Sequence, residues 1–268
     1  MNIDKAGKSY WDHKWESSSL LNAVDPHVSG LNNYVNRKFH EYFQKVFSGM
    51  DANGKRLLEI GCARSQWLPY FNKEFGFEVT GVDYSEVGCE MAQAILEKQG
   101  AKGTVCCEDF FTPSKVLIEQ FDVVVSFGVL EHFQDTAGCI SAFSRFLRPG
   151  GIMITSVPNM VSMIGYLQKI INRPVFDIHV LLDKNSLCKS HKDAGLNILD
   201  CDYFLSTYFA VCNLAGLSTN TISWYIKKIV LAVFARFSMA VWFLESKVVK
   251  FRATKLMSGY INCLARKQ

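Results

Sequence analysis

A chain of 268 residues, 49% hydrophobic and 20% charged, can bury a sizeable core, and this composition excludes a disordered, fibrous or low-complexity protein. Net charge is only +4, but residues 221–268 carry nine Lys and Arg against the single acid Glu245, so this part is +8 and the first 220 residues sum to −4. Such asymmetry suits a C-terminal part that faces something anionic, or one with a solvated basic face. The nine cysteines are odd in number and include no C-x-x-C pair. They read as reduced, buried thiols of a cytosolic protein rather than as a disulfide framework. MNIDKAGKSYWDHKWE, at the start, lacks an apolar signal core, so secretion is not expected.

Residues 29–47, with Tyr34, Phe39, Phe43 and Phe47, have the spacing of an amphipathic cap helix. From residue 56 to about 157, short apolar runs alternate with amphipathic ones. RLLEIG (56–61), FEVTGVD (77–83), GTVCCED (103–109), FDVVVSFG (121–128) and GGIMITSVP (150–158) lack clean period-two alternation, which suits parallel strands covered on both faces. The stretches 66–75, 85–99 and 135–147 between them read as helices; Ser85 is a candidate N-cap and Gly100 a stop. The expected fold is α/β: a doubly wound, mostly parallel sheet. RPVFDIH (173–179) is strand-like, and a helix over 183–194 ends at Gly195.

A doubly wound sheet holds its ligand at the carboxyl ends of its strands. Gly61, after the first strand, allows close backbone approach and positive φ. Ala63 and Ser65 stand where a dinucleotide loop would have glycines, so a pyrophosphate would be crowded there. Asp83, ending the second strand, is placed to bind ribose hydroxyls, and Glu108-Asp109-Phe110 offers an acid and an aromatic face for adenine. With no phosphate-binding lysine, the set points to an adenosine cofactor without phosphate.

These residues, in this order, resemble a class I S-adenosylmethionine-dependent methyltransferase of the small-molecule group. Glu59-Ile-Gly61-Cys62-Ala63 is similar to the family's E-x-G-x-G, with Ala63 for the second glycine. Val82-Asp83-Tyr84-Ser85 is similar to V-D-x-S, Asp109-Phe110 to its adenine element, Leu130-Glu131-His132 to L-E-H, and Leu147-Arg148-Pro149-Gly150-Gly151 to L-K-P-G-G. The resemblance implies S-adenosyl-L-methionine as cofactor and a Rossmann-like, seven-stranded sheet. It also implies contact from Phe127 and Gly128. Tyr10-Trp11-Asp12 and Trp15 resemble an N-terminal segment that covers the methionine end of the cofactor. GYINCLARKQ resembles the family's last strand, with LNILDCDYF (196–204) as its hairpin partner. Residues 1–50 then form a helical cap, 51–204 with 258–268 the core, and 205–257 a helical insertion.

The first candidate base is His132, beyond the fourth strand and able to titrate near neutrality. Ubiquinone-pathway O-methyltransferases have a related E-x-x-E-H element, sometimes tied to a metal; here Gly128 replaces its first acid, so no metal is expected. No N-P-P-Y or D-P-P-Y follows the fourth strand, which argues against methylation of DNA bases. The expected reaction is methyl transfer to a hydroxyl of a small, sugar or lipid-linked acceptor. A protein or RNA methyltransferase and a non-catalytic cofactor-binding partner remain alternatives. The insertion's centre, residues 222–252, is helical and apolar but interrupted by Lys227, Lys228, Arg236 and Glu245. It reads as a lid packed on the core, with peripheral membrane contact as the second reading.

Overall fold

The computed structural model describes residues 4–268. One sheet of seven strands organises the chain: β1 (Arg56–Ile60), β2 (Glu78–Asp83), β3 (Gly103–Cys107), β4 (Phe121–Phe127), β5 (Leu147–Pro158), β6 (Leu196–Phe204) and β7 (Tyr260–Lys267). Their spatial order is β3-β2-β1-β4-β5-β7-β6. The first five strands run parallel, and β7 enters antiparallel between β5 and β6. Chain order therefore reverses between β1 and β4, where a doubly wound sheet opens a crevice.

Helices cover both faces. α1 (Lys8–Glu16) and α2 (Tyr34–Phe47) precede the sheet; α3 (Trp67–Phe75), α4 (Glu86–Lys98) and α5 (Thr136–Ser144) follow β1, β2 and β4. α2 buries Phe39, Phe43 and Phe47 at four-residue spacing, against Phe71, Trp67 and Phe127 among others. Each fully buried ring of this kind stabilises the fold by about 1.5–3 kcal/mol. Ser85 caps α4 by accepting from the Gly88 N–H, as its position suggested.

α6 (Met163–Ile171), α7 (Arg173–Asp177) and α8 (Lys184–Asp193) link β5 to β6. RPVFDIH is thus a short helix and not a strand. Pro174 in the first turn favours helix initiation, and both edges of β5 are already occupied, by β4 and β7. α9 (Ile222–Lys247) is a single 26-residue helix between β6 and β7. All nine cysteines are free thiols.

Candidate functional site

A cavity of about 680 Å³ opens above the carboxyl ends of β1, β2 and β4. Gly61 leaves β1 at φ +78, and a Cβ there would lie 2.3 Å from Val129 Cγ2, so glycine is required by both conformation and space. Ala63 fits because α4 recedes in front of it: a Cβ on Gly88 would lie 2.5 Å from the Ala63 methyl. Ser65 is no glycine substitute. Its hydroxyl donates to buried Glu59 (2.6 Å) and accepts from the Trp67 and Leu68 N–H groups, opening α3. Burial pushes the Glu59 carboxyl up to about 8. Asp83 closes the loop from β2, accepting from the Ala63 N–H (3.1 Å) and the Ser85 N–H (2.8 Å); burial raises its pKa against these bonds.

The N-terminal segment folds over this loop. Ser85 donates to Asp12 (2.6 Å), which also pairs with Lys8, and Tyr84 donates to Asp4 (2.6 Å). The Lys5 N–H donates to the His132 carbonyl, and Trp11 meets the His132 ring edge-on at 4.9 Å. α1 thereby becomes a wall of the cavity.

Beyond β4, His132 and Glu131 are both buried. His132 Nδ1 is 3.1 Å from the Ile178 carbonyl; a carbonyl only accepts, so this nitrogen carries the proton and Nε2 has the free lone pair. Burial, with His179 beside it, pushes His132 down to about 3. Burial pushes Glu131 up to about 8, and its Oε2 has no hydrogen-bond partner among the described residues. His179 follows α7, its Nδ1 against the Val175 carbonyl and its ring 4.9 Å from that of His132. Glu131, His132 and His179 offer ligand atoms within 4.8 Å of one another. The missing acid of the E-x-x-E-H pattern had argued against a metal, yet the fold brings in a third donor, His179, from 47 residues away. This trio could hold a divalent cation, at the cost of the His132 Nε2 lone pair that a proton acceptor would need.

Among residues named from the sequence, Tyr10, Trp15, Glu59, Gly61 and Ala63 line the cavity, as do Asp83, Tyr84, Phe110, Phe127, Gly128 and His132. Three do not. Cys62 turns under β2, where it blocks any Cβ at Gly81. Ser85 is buried as cap and anchor. Asp109 is exposed and caps the Phe111 N–H. Sequence reasoning missed Lys14 and Arg64, which also line the cavity, and the apolar side made by Met160, Val175, Val211 and Tyr260. Those four lie on segments whose approach no local pattern encodes.

A reversed seventh strand beside parallel neighbours, with an acid-terminated β2 and a glycine loop after β1, defines a class I, S-adenosylmethionine-dependent methyltransferase. The chain belongs to the methyltransferase family whose description reads "Methyltransferase domain", matched over residues 31–200. It is 29% identical over 205 residues to a ubiquinone biosynthesis O-methyltransferase of Dinoroseobacter shibae, covering 71% of this chain and 78% of that one. Against the enzyme of that name from Thiobacillus denitrificans it is 28% identical over 154 residues, covering 53% and 65%; the chain thus spans just under two thirds of that relative's length. In structure it is similar to the geranyl diphosphate C-methyltransferase of Streptomyces coelicolor (TM-score 0.60, 12% identity, 97% and 98% covered). The magnesium protoporphyrin IX methyltransferase of Synechocystis also superposes (TM-score 0.57, 13%, 99% and 100%). At these identities the structures speak for the fold alone. The cofactor is S-adenosyl-L-methionine. The lining suits it: the cavity wall includes the Asp83 carboxylate, the Phe110 ring and, at Gly61, a backbone free of side chain.

Proposed function

We propose that this methyltransferase acts on a hydroxyl of a small-molecule acceptor, with His132 receiving the hydroxyl proton. Bound S-adenosylmethionine supplies a methyl group activated as a sulfonium. The carrying observation is the His132 tautomer: Nδ1 is committed to the Ile178 carbonyl, which leaves Nε2 as acceptor in the cavity. A base pushed down to about 3 suffices, because a hydroxyl oxygen becomes strongly acidic as its new C–O bond forms. α1 and the loop after β4 exclude water and align the acceptor. The names of the relatives support hydroxyl over carbon or nitrogen as acceptor atom. The test supplies labelled cofactor and the purified protein to an extract of a strain lacking it and identifies the product by mass spectrometry. A methyl ether is expected, and His132→Ala should reduce its formation 10²–10⁴-fold (about 3–5 kcal/mol) with S-adenosylhomocysteine affinity unchanged. An N-methyl product, or full activity in the variant, refutes the reading.

The acceptor class includes lipid-linked molecules, in a cytoplasmic protein that touches the membrane peripherally through residues 222–252. α9 supports this. It is long and apolar enough to span a bilayer, and only 11% of its most apolar window is buried. One face nevertheless packs on the protein: Trp242 stacks on Tyr34 at 5.0 Å and donates to the Thr207 carbonyl, and Glu245 accepts from Tyr34. Such a helix lies on a surface rather than crossing it. Ile222, Ile226, Ile229, Val233 and Phe237 are exposed along the other face. Trp224, nearer the start of α9, is only half-buried and meets Tyr225 and Lys228. The protein should sediment with anionic vesicles and be released by salt, each basic residue contributing about 1 kcal/mol; a wild type that stays in the supernatant ends this part of the proposal.

A further inference from the structure

Three cysteines gather beside the cofactor loop without lining the cavity. Cys62 follows Gly61, Cys89 closes the first turn of α4, and Cys107 ends β3. All three lie on the face of the sheet that α4 covers. Cys62 packs under β2, where a Cβ on Gly81 would lie 2.6 Å from its Sγ. Cys89 is one helical turn before Ala92, which joins the same apolar layer. Cys107 shares its side of β3 with Val105, also in that layer, whereas Cys106 turns to the opposite core. Cys89 is the middle member: its thiol interacts with those of both Cys62 and Cys107 and donates to the Asp83 carbonyl at 3.3 Å. Asp83 is itself the register partner of Cys107 between β2 and β3.

The three thiols differ in chemistry. Cys62 is fully buried. Hydrogen bonding with Cys62 outweighs burial and holds the Cys89 thiol below its ordinary range, and the first turn of a helix favours a thiolate further. Cys107 is exposed; its remaining desolvation and the neighbouring Cys89 push it up to about 11, so it stays a neutral thiol. An acidic thiol beside an accessible second one is the arrangement of a sulfur that oxidises and another that resolves it. β3 is also the outermost strand, hydrogen-bonded along one edge, so its end can move toward α4.

We infer that Cys89 and Cys107 are an oxidation site, joined as a disulfide when the protein meets a hydroperoxide, and that this bond weakens cofactor binding. The Cys89 sulfur attacks one oxygen of hydrogen peroxide, the O–O bond breaks, and hydroxide leaves with the thiol proton as water. The Cys107 sulfur then attacks the sulfenic sulfur of Cys89, and its proton leaves with the hydroxyl as a second water. Two thiols lose two electrons, and one peroxide becomes two waters. The joined Cys89 sulfur no longer donates to the Asp83 carbonyl, and the first turn of α4 is drawn toward β3. Gly88 in that turn faces Ala63 without room for a methyl group, and Ser85 before it anchors α1 through Asp12. Displacing the turn therefore disturbs both the cofactor loop and the N-terminal wall of the cavity. The site is independent of the acceptor's identity.

Peptide mapping and calorimetry on the full chain test both halves. Protein reduced with dithiothreitol, freed of it and treated with hydrogen peroxide should show, without reduction, a crosslink between the peptide bearing Cys89 and that bearing Cys106 and Cys107. The crosslink should persist in Cys106→Ser and disappear in Cys107→Ser, a change at an exposed position. Oxidised wild type should bind S-adenosylhomocysteine at least tenfold more weakly and recover with dithiothreitol, whereas Cys107→Ser should change less than threefold on the same treatment. A wild-type crosslink to Cys62, a crosslink that survives in Cys107→Ser, or no crosslink at all refutes the pair. A Cys89–Cys107 crosslink with unchanged affinity refutes its effect on the cofactor. The wild-type measurements decide both points even where a variant misfolds.

Discussion

Replacing Gly61 with alanine tests the geometry of the cofactor loop without any ligand. Its φ of +78 would force alanine into the left-handed region, at about 1–2 kcal/mol. The new Cβ would lie 2.3 Å from Val129 Cγ2, an overlap that repacking relieves at about 1–3 kcal/mol. Alanine also stiffens the unfolded chain, returning about 0.4–1 kcal/mol. The net loss should be about 2–4 kcal/mol, large against a total stability of roughly 5–15 kcal/mol. The clash is with the loop after β4, so the protein suffers before any cofactor approaches. Urea unfolding at 25 °C measures the loss, and Val129→Ala separates its parts: in that background the steric share should vanish, leaving about 1 kcal/mol from the backbone. A Gly61→Ala protein as stable as wild type, or an equal loss in both backgrounds, would show that Gly61 and Val129 do not meet as described.

Gly88→Ala should lower stability by a net ~1 kcal/mol despite alanine's better helix propensity, since its methyl would meet that of Ala63 at 2.5 Å; adding Ala63→Gly should reverse the sign, and no reversal would refute the pairing. Asp83→Ala should weaken S-adenosylhomocysteine binding by about 1.5–3 kcal/mol in calorimetry and also loosen the loop it ties through the Ala63 and Ser85 N–H groups; unchanged affinity in a folded variant removes it from the site. His191, fully buried between the Leu187 carbonyl and Thr155 Oγ1, is pushed by burial from 6.5 down to about 4. The unfolded chain therefore binds the extra proton first, so stability is complete above pH 6.5 and falls toward pH 4 by up to about 3 kcal/mol. His132 adds to the same slope; denaturant midpoints for His191→Gln should fall less steeply over that window, and equal slopes would count against the assignment.

Much of this protein could be read without its structure, because strands, helix caps and glycine turns are set by residues a few positions apart. The apolar runs marked the first five strands, resemblance to the family marked the final hairpin, the periodic phenylalanines of α2 marked the cap helix, and the ordered motifs located Gly61, Asp83 and Phe110. What lay beyond local pattern was each partnership across the sheet. Ser65 looked like a spoiled glycine until Glu59 was found beside it, and Ala63 looked too large until Gly88 was seen to make room. RPVFDIH favoured a strand by composition, but β7 held the edge it would have needed. His179 reached His132 only because the turn after α7 packs against the loop after β4, and Lys14 reached Arg64 only because α1 folds back across the loop. Composition read α9 as a lid, with a surface helix second; tertiary packing covered Trp242 and left Ile222, Ile229 and Val233 in the open. Backbone propensity acts within a turn or a strand, whereas a binding site is made by side chains whose meeting depends on which faces the whole fold buries.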